Sequence, residues 1–448
     1  MGNQIAKGSV GKIYRYRDIV VKKFEDQDGY EKRQCDFIIE SAMSTYLQHP
    51  NIIKGFDFHC YFSFKFSMNY GLPISDYLNQ NPQTLKAMCV DLIKAVKYMH
   101  SVGILHLDIK PENIVVVENQ LKLLDFGLSS FISTDFTMAD SAYTFWYRPP
   151  ELFGKDTKLY PSLDIWATGI TLFVMIEKHF PFDIKKAKDI QEALQLISNL
   201  PSVLTRKHFT IEPEFYYILI SPMLKLDPFE RTLAGQHLTP LNLKMNKLFL
   251  HSRDDKTIGH AIGFIIKESL NLTMAYIATK LYYMSLAKDR IAHLCACLKI
   301  AETVINNGTW KFSFDYFKSC YNINRWDIDF IIRSILQKNN FNILQGLGIL
   351  YLNEYLVEQD YKGGKSQKYS AIMSDFYYLS LYNKDFFVVE PKDLFEFFNN
   401  MYHGYELTAI QNYLIKDLAY TLYKFDDIYS IYTMKNFNDD IRKKLNGF

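Results

Sequence analysis

The hydrophobic rhythm of the chain changes near residue 84, and the change restricts the fold. Before it, the short apolar stretches KIYRYR, IVVKKF and YFSFKFSMN have strand character and surround one helical segment, Glu31 to Leu47. From Thr84 onward Leu85, Met88, Leu92, Val96 and Met99 recur every three or four residues, one face of a helix. Helices dominate from there to about Met245, and a charged patch, His251 to Lys256, interrupts them. Strands first and helices after predict an α+β arrangement with a small β-rich lobe, followed by an all-α domain.

The 448 residues give room for roughly two to four domains. The predicted divisions are a β-rich lobe over 1–80, a helical lobe over 81–250, and two helical groups over 257–342 and 343–448. In the first group, helices are expected near 257–270, 273–288, 290–306, 312–321 and 326–338. In the second they are expected near 343–358, 367–381, 391–402 and 407–423, with a loop at Tyr361 to Lys368.

Composition narrows the function classes. The net charge is +2 and neither half is basic, so no electrostatic footprint for nucleic acid is present. The longest apolar run, GITLFVMIE, is closed by Glu177, so no membrane span is expected. Ala6 stands where an N-myristoylation start wants Ser or Thr. The six cysteines are scattered, and Cys295-x-Cys297 has no second pair to complete a zinc site. Reduced thiols and the absence of a secretory signal predict a protein that is cytoplasmic or nuclear, not secreted. The 16% aromatic content, alongside many Ile, Lys and Asn, fits codon bias in an AT-rich genome.

Several stretches carry residue types suited to phosphate chemistry, which depends mainly on positioning and charge neutralisation. In chain order they are IAKGSVGKIY, IVVKKF, Glu40 nine residues before the HPN turn at His49, ILHLDIKPEN, LLDFGL, TFWYRPPE, DIWATG and DPFER. In this order and spacing they resemble a eukaryotic-type Ser/Thr protein kinase over about residues 3 to 246. The resemblance implies a two-lobed kinase fold, ATP and Mg²⁺ as ligands, and a protein substrate.

It also implies roles for individual residues. Ile5, Gly8, Ser9, Val10, Gly11, Lys12 and Ile13 would surround the nucleotide. Lys22 would hold its α- and β-phosphates, with Glu40 pinning the lysine and Lys23 as the rival ammonium. The short spacing from Gly11 to Lys22 predicts a clipped hairpin turning at Arg17-Asp18. Asp108 would accept the substrate hydroxyl's proton, Lys110 would steady the phosphate, and Thr144 would contact both. Asn113 and Asp125 would be the metal ligands. Glu151 would pair with Arg231, and Asp164 would support the catalytic loop from below.

Departures from the family pattern are informative. Ala6 replaces the first loop glycine. The three positions that usually form a cationic pocket for a phosphorylated activation segment are Ile39, Leu107 and Ser130 here. Near the usual phosphosite the chain has Ala139-Asp140, with Thr137 and Ser141 close by. Activity independent of activation-segment phosphorylation is therefore expected. Tyr147-Arg148 after Trp146 hints at a proline-directed pocket, yet Tyr143 sits where a small residue often shapes it, so substrate preference stays open.

The phrase TFWYRPPE is most similar to cyclin-dependent kinases. Leu272 to Ile305 resembles the second and third helices of a cyclin box, Trp326 to Ile343 its fifth, and Tyr369 to Phe398 the start of a second cyclin fold, with Pro391 beginning a helix. Where cyclins place a Lys and a Glu that grip the kinase, this chain has Thr303 and Ile332. The resemblance implies a kinase fused to its own C-terminal activator, a fusion suited to a large DNA virus. An unrelated helical partner-binding domain, a pseudokinase scaffold and a nucleic-acid-binding cyclin-like tail are the alternatives, the last opposed by the near-neutral charge.

Overall fold

The computed structural model describes residues 2–7, 11–25, 29–61, 63–77, 81–138, 144–153, 157–182, 190–199, 213–233, 255–269, 271–285, 290–305 and 311–345. Beyond these it describes 347, 349, 352–353, 373–374, 376–378, 380–381, 384–387, 389, 391–403, 411 and 414. Gly8, Ser9, Val10, Ala139 to Tyr143, the patch at 251–254 and the loop Tyr361 to Lys368 lie outside the described residues. So does most of the helices expected at 343–358, 367–381 and 407–423. Contacts divide the chain into two units, Met1–Pro240 and Leu241–Phe448.

The first unit begins with a five-stranded antiparallel sheet. Its strands are β1 (Asn3–Lys7), β2 (Gly11–Tyr16), β3 (Ile19–Phe24), β4 (Gly55–His59) and β5 (Lys65–Asn69), in the order β1-β2-β3-β5-β4. The β2–β3 hairpin turns on Arg17 and Asp18, with Arg17 left-handed at φ 57°. Such a positive φ is what a two-residue hairpin loop demands. The helix α1 (Tyr30–Tyr46) packs on β3 and β4. Phe37 meets Phe24 at 5.5 Å and Phe64 at 5.2 Å between ring centres, an aromatic core between helix and sheet.

The helical lobe follows. In α2 (Pro82–Ser101) the stripe Leu85, Met88, Leu92, Val96 and Met99 is buried, as its spacing predicts. Pro82 opens the helix, and Asn81 Oδ1 accepts the Thr84 amide at 2.9 Å. The helix α3 (Pro161–Glu177) is buried along nearly its whole length and stops at left-handed Lys178, φ 61°. A further helix, α4, spans Ile190–Ser198.

Short strands also occur in this lobe: β6 (Leu72–Pro73), β7 (Ile104–Leu105), β8 (Ile114–Val117), β9 (Gln120–Leu123), β10 (Ser130–Phe131), β11 (Ser133–Met138) and β12 (Thr157–Leu159). They pair as β6-β8-β9, β10-β7 and β11-β12. The sequence reading of a helix-dominated stretch did not resolve them, because strands this short leave too few alternations to register.

The second unit is helical among its described residues: α5 (Asp255–Glu268), α6 (Leu272–Met284), α7 (Arg290–Ile305), α8 (Phe314–Tyr321), α9 (Arg325–Lys338) and α10 (Pro391–His403). Pro391 does begin a helix. The central α7 packs against α5, α6 and α9. Asn271 caps α6 by accepting the Met274 amide at 2.9 Å, and Ser313 caps α8 through the Tyr316 amide at 3.1 Å. Cys295 and Cys297 are buried in α7, and all six cysteines are unbridged. No helix among the described residues is long and apolar enough to cross a membrane.

Candidate active site

Alternation along β3 turns Val20, Lys22 and Phe24 inward and leaves Lys23 exposed. Lys22, rather than Lys23, is thus the lysine that faces the carboxylates of Glu40 and Asp125. Lys22 Nζ donates to Glu40 Oε1 at 2.5 Å and to Asp125 Oδ1 at 3.1 Å, joining β3, α1 and the loop after β9. Burial works against the Lys22 ammonium, but the Asp125 and Glu40 carboxylates outweigh it and raise its pKa. Burial likewise works against charge on Asp125, and Lys22 outweighs it, holding Asp125 below the usual carboxylate range. For Glu40 burial dominates and pushes the carboxyl up to about 8, with Lys22 opposing. A Cβ on Gly127 would come within 3.3 Å of Glu40 Oε1 and 3.4 Å of Asp125 Oδ1, so the chain passes close to this cluster.

The second cluster sits on the loop between β7 and β8. Asp164, fully buried on α3, accepts the backbone amides of His106 and Leu107, each at 2.8 Å, and bonds His100 Nε2 at 3.0 Å. Leu107 adopts φ 66°, a left-handed conformation costly for a branched side chain, and the Asp164 bond helps to hold it there. His106 Nδ1 accepts the Asp108 amide at 3.2 Å, which places the ring proton on Nε2, facing the Leu124 carbonyl at 3.1 Å. The support from His100 escaped sequence reading; its only trace was a histidine near the end of α2.

Asp108 is met from three sides. Lys110 Nζ lies 2.8 Å from Oδ2 and 2.9 Å from Oδ1, and Thr144 Oγ1 donates to Oδ1 at 2.8 Å. Lys110 also donates to Thr144 Oγ1 at 2.9 Å. Asn113 Nδ2 donates to the Asp108 carbonyl and to Oδ2, both at 2.8 Å. With both amide hydrogens turned to Asp108, the Asn113 Oδ1 has no hydrogen-bond partner among the described residues. The structure thus groups Asp108, Lys110, Thr144 and Asn113, and separately Lys22, Glu40 and Asp125. Among the described residues no three His, Cys, Asp or Glu side chains converge as a metal centre.

On the sheet, Ile5 is 48% exposed on β1, and Ile13 is half-buried with Lys22 as its cross-strand partner. Lys12 pairs with Glu25 at 2.8 Å. A Cβ at Gly11 would stand 2.3 Å from the Lys23 carbonyl oxygen, so this position admits only glycine without a backbone shift. Arg231, its side chain fully buried, grips Glu151 with two bonds of 2.6 and 2.7 Å. Its remaining donors reach the carbonyls of Lys225, Leu226 and Ser162.

Ile39, Leu107 and Ser130 are 1%, 1% and 2% exposed, so all three positions are neutral and enclosed. In the second unit, Thr303 and Ile332 are likewise buried, Thr303 bonding the Lys299 carbonyl at 2.7 Å.

Comparison with known proteins gives the same region. The protein kinase domain family matches residues 1–240. Cyclin-dependent kinase F-3 of Oryza sativa subsp. japonica is 28% identical over 184 residues, covering 38% of this chain and 42% of the relative. Cyclin-dependent kinase-like 2 of Homo sapiens is 27% identical over 274 residues, covering 56% and 54%. The serine/threonine-protein kinase ppk25 of Schizosaccharomyces pombe is 26% identical over 280 residues, covering 54% and 63%. The chain therefore spans between 42% and 63% of the length of these relatives.

Proposed function

The chain belongs to the protein kinase domain family, and from that premise we propose that it transfers the γ-phosphoryl group of ATP to Ser or Thr hydroxyls of protein substrates. The observation that carries the reading is the closed network of Asp108, Lys110, Thr144 and Asn113. Asp108 is placed to orient a hydroxyl and take its proton, while Lys110 supplies positive charge beside the transferring phosphoryl group. Thr144 ties the two together. Lys22, held charged by its carboxylate neighbours, offers an ammonium to the nucleotide's α- and β-phosphates. Gly8 to Lys12, Ile5 and Ile13 would enclose the rest of the nucleotide.

Asn113 and Asp125 fit a hard cation such as Mg²⁺. Asn113 presents an amide oxygen without a partner among the described residues, Asp125 is held ionised, and a cation that keeps several waters needs few protein donors. When bound, Mg²⁺ neutralises charge on the phosphate oxygens. Loss of Mg²⁺-dependent phosphorylation of a peptide library by Asp108→Asn in the full chain tests the proposal; undiminished transfer would refute it.

Regulation is the finer part of the proposal. Three enclosed neutral residues stand where a phosphate-binding pocket would need arginines, so activation-segment phosphorylation is not required. The C-terminal unit is read as a cyclin-like activator fused to its kinase, with the names of two relatives supporting a cyclin-type partner. Its helical bundle around α7 is compatible with that reading. Tethering a partner by a short linker gives an effective concentration of roughly millimolar, which would tolerate weak contacts such as those lacking the usual Lys and Glu. Cleavage at a protease site inserted within His251 to Lys256, followed by dilution, should then lower activity. The proposal extends to a cytoplasmic or nuclear setting and to a viral source.

A further inference from the structure

We propose that the antiparallel pairing of β11 with β12 is the anchor of the activation segment, replacing a phosphate held by arginines. The inference rests on the kinase reading and names how that site is kept in working order. With Ile39, Leu107 and Ser130 neutral and enclosed, a phosphate on the segment finds no charge-assisted partner at those positions.

Main-chain pairing runs along the segment instead. Ser130 and Phe131 pair with Leu105 and Ile104 of β7, the strand that leads into the catalytic loop. The Ile132 amide then donates to the Gly103 carbonyl at 3.0 Å. Next, Ser133, Thr137 and Met138 pair with Leu159, Lys158 and Thr157, with a bulge between Ser133 and Thr137. The segment is thus paired with its neighbours over Ser130 to Ser133 and again at Thr137 and Met138, without any modified side chain.

The far end of this strap is firmly rooted. Leu159 and Tyr160 are 4% and 8% exposed, and Tyr160 is the cap residue of α3. Four residues beyond Tyr160 on that helix is Asp164, which holds the His106 and Leu107 amides. The strand that receives the activation segment and the carboxylate that supports the catalytic loop therefore belong to one continuous piece of chain. Movement of β12 would be felt at both Asp108 and Thr144.

The test uses phosphatase-treated full-length protein, with backbone and side chain separated at Lys158. Lys158→Ala retains the peptide N–H and should leave both amide exchange over 133–138 and kcat within about 2-fold of the parent. Lys158→Pro breaks the ladder and should speed that exchange and lower kcat by about 10-fold or more, with KM for ATP nearly unchanged. A covalent lock, Thr137→Cys with Lys158→Cys in a Cys320→Ser background, joins directly opposite positions and should keep kcat when oxidised. Fast exchange over 133–138 in the parent would overturn the proposal. So would Lys158→Pro freeing the segment at unchanged kcat, or a locked protein losing activity that reduction restores. Exchange decides the strap by itself, whereas undiminished transfer by Asp108→Asn would sink the kinase reading.

Discussion

Lys22 of the first unit and Lys280 of the second meet burial differently, although the second unit also holds a carboxylate pair, Arg333 with Asp329 at 2.9 Å. In the first, Lys22 meets Glu40 and Asp125, and Arg231 meets Glu151 through two bonds. In the second, fully buried Lys280 donates to the carbonyls of Ile343 and Gln345 and has no carboxylate partner among the described residues. Within the Lys22 cluster the lysine and Asp125 are held charged by each other, and Asp125 keeps a third of its side chain exposed. A buried lysine facing carbonyls holds its proton less tightly. Burial lowers the Lys280 pKa to about 7. It serves as a cross-link between α6 and the segment after α9, not as chemistry.

The contrast can be broken most decisively at Asp108. Asp108→Asn should cost about 10³-fold in phosphoryl transfer while both units keep their thermal stability, as enzyme assay and calorimetry would show. Transfer near the parent rate would mean that the charged cleft is architecture, like Lys280.

Next in size is the pH response of the second unit. Unfolded, Lys280 keeps its proton to 10.5; folded, it releases it near 7. Between these values the unfolded chain binds the extra proton, so stability rises with pH, by roughly 5 kcal/mol across the window. Below 7 both states are charged and the slope vanishes. Urea unfolding from pH 7 to 10 should show this rise in the second unit's transition and lose it in Lys280→Met.

Glu151→Gln leaves Arg231 enclosed with carbonyls but without its counter-charge. It should destabilise the first unit by about 3 kcal/mol and leave the second unit's transition in place. The smallest effect is expected from removing phosphate. Phosphatase treatment, or replacement of Thr137 and Ser141 together, should change activity by less than about 2-fold. A large loss would show that the neutral residues at 39, 107 and 130 do not mark a discarded switch.

The same contrast explains what could be read from the letters. Asp108, Lys110, Asn113 and Asp125 could be singled out because their motifs resemble those of protein kinases, and the structure brings the first three together. The same resemblance named the contacts of Thr144 with Asp108 and of Glu40 with Lys22, and both are present. The pairing of Glu151 with Arg231 and the support from Asp164 were likewise named through the family resemblance. Lys280 was not, because a lysine on a helix is ordinarily solvated and only packing reveals its burial. The strap was hidden as well, since a bulged ladder joining residues about twenty positions apart leaves no periodic trace. Among the described residues of the second unit, the helices near 257–270, 273–288, 290–306, 312–321, 326–338 and 391–402 followed from spacing, with ends differing by a few residues, as capping by Asn271 and Ser313 decides two of them.

Asp164 accepts donors from the end of α2 and from two successive amides of the catalytic loop while sitting in a helix buried along nearly its whole length. The loop therefore has no independent melting temperature. On heating, inactivation and collapse of the whole helical lobe should occur together as one cooperative event, and an inactive but still folded state should not accumulate on the way.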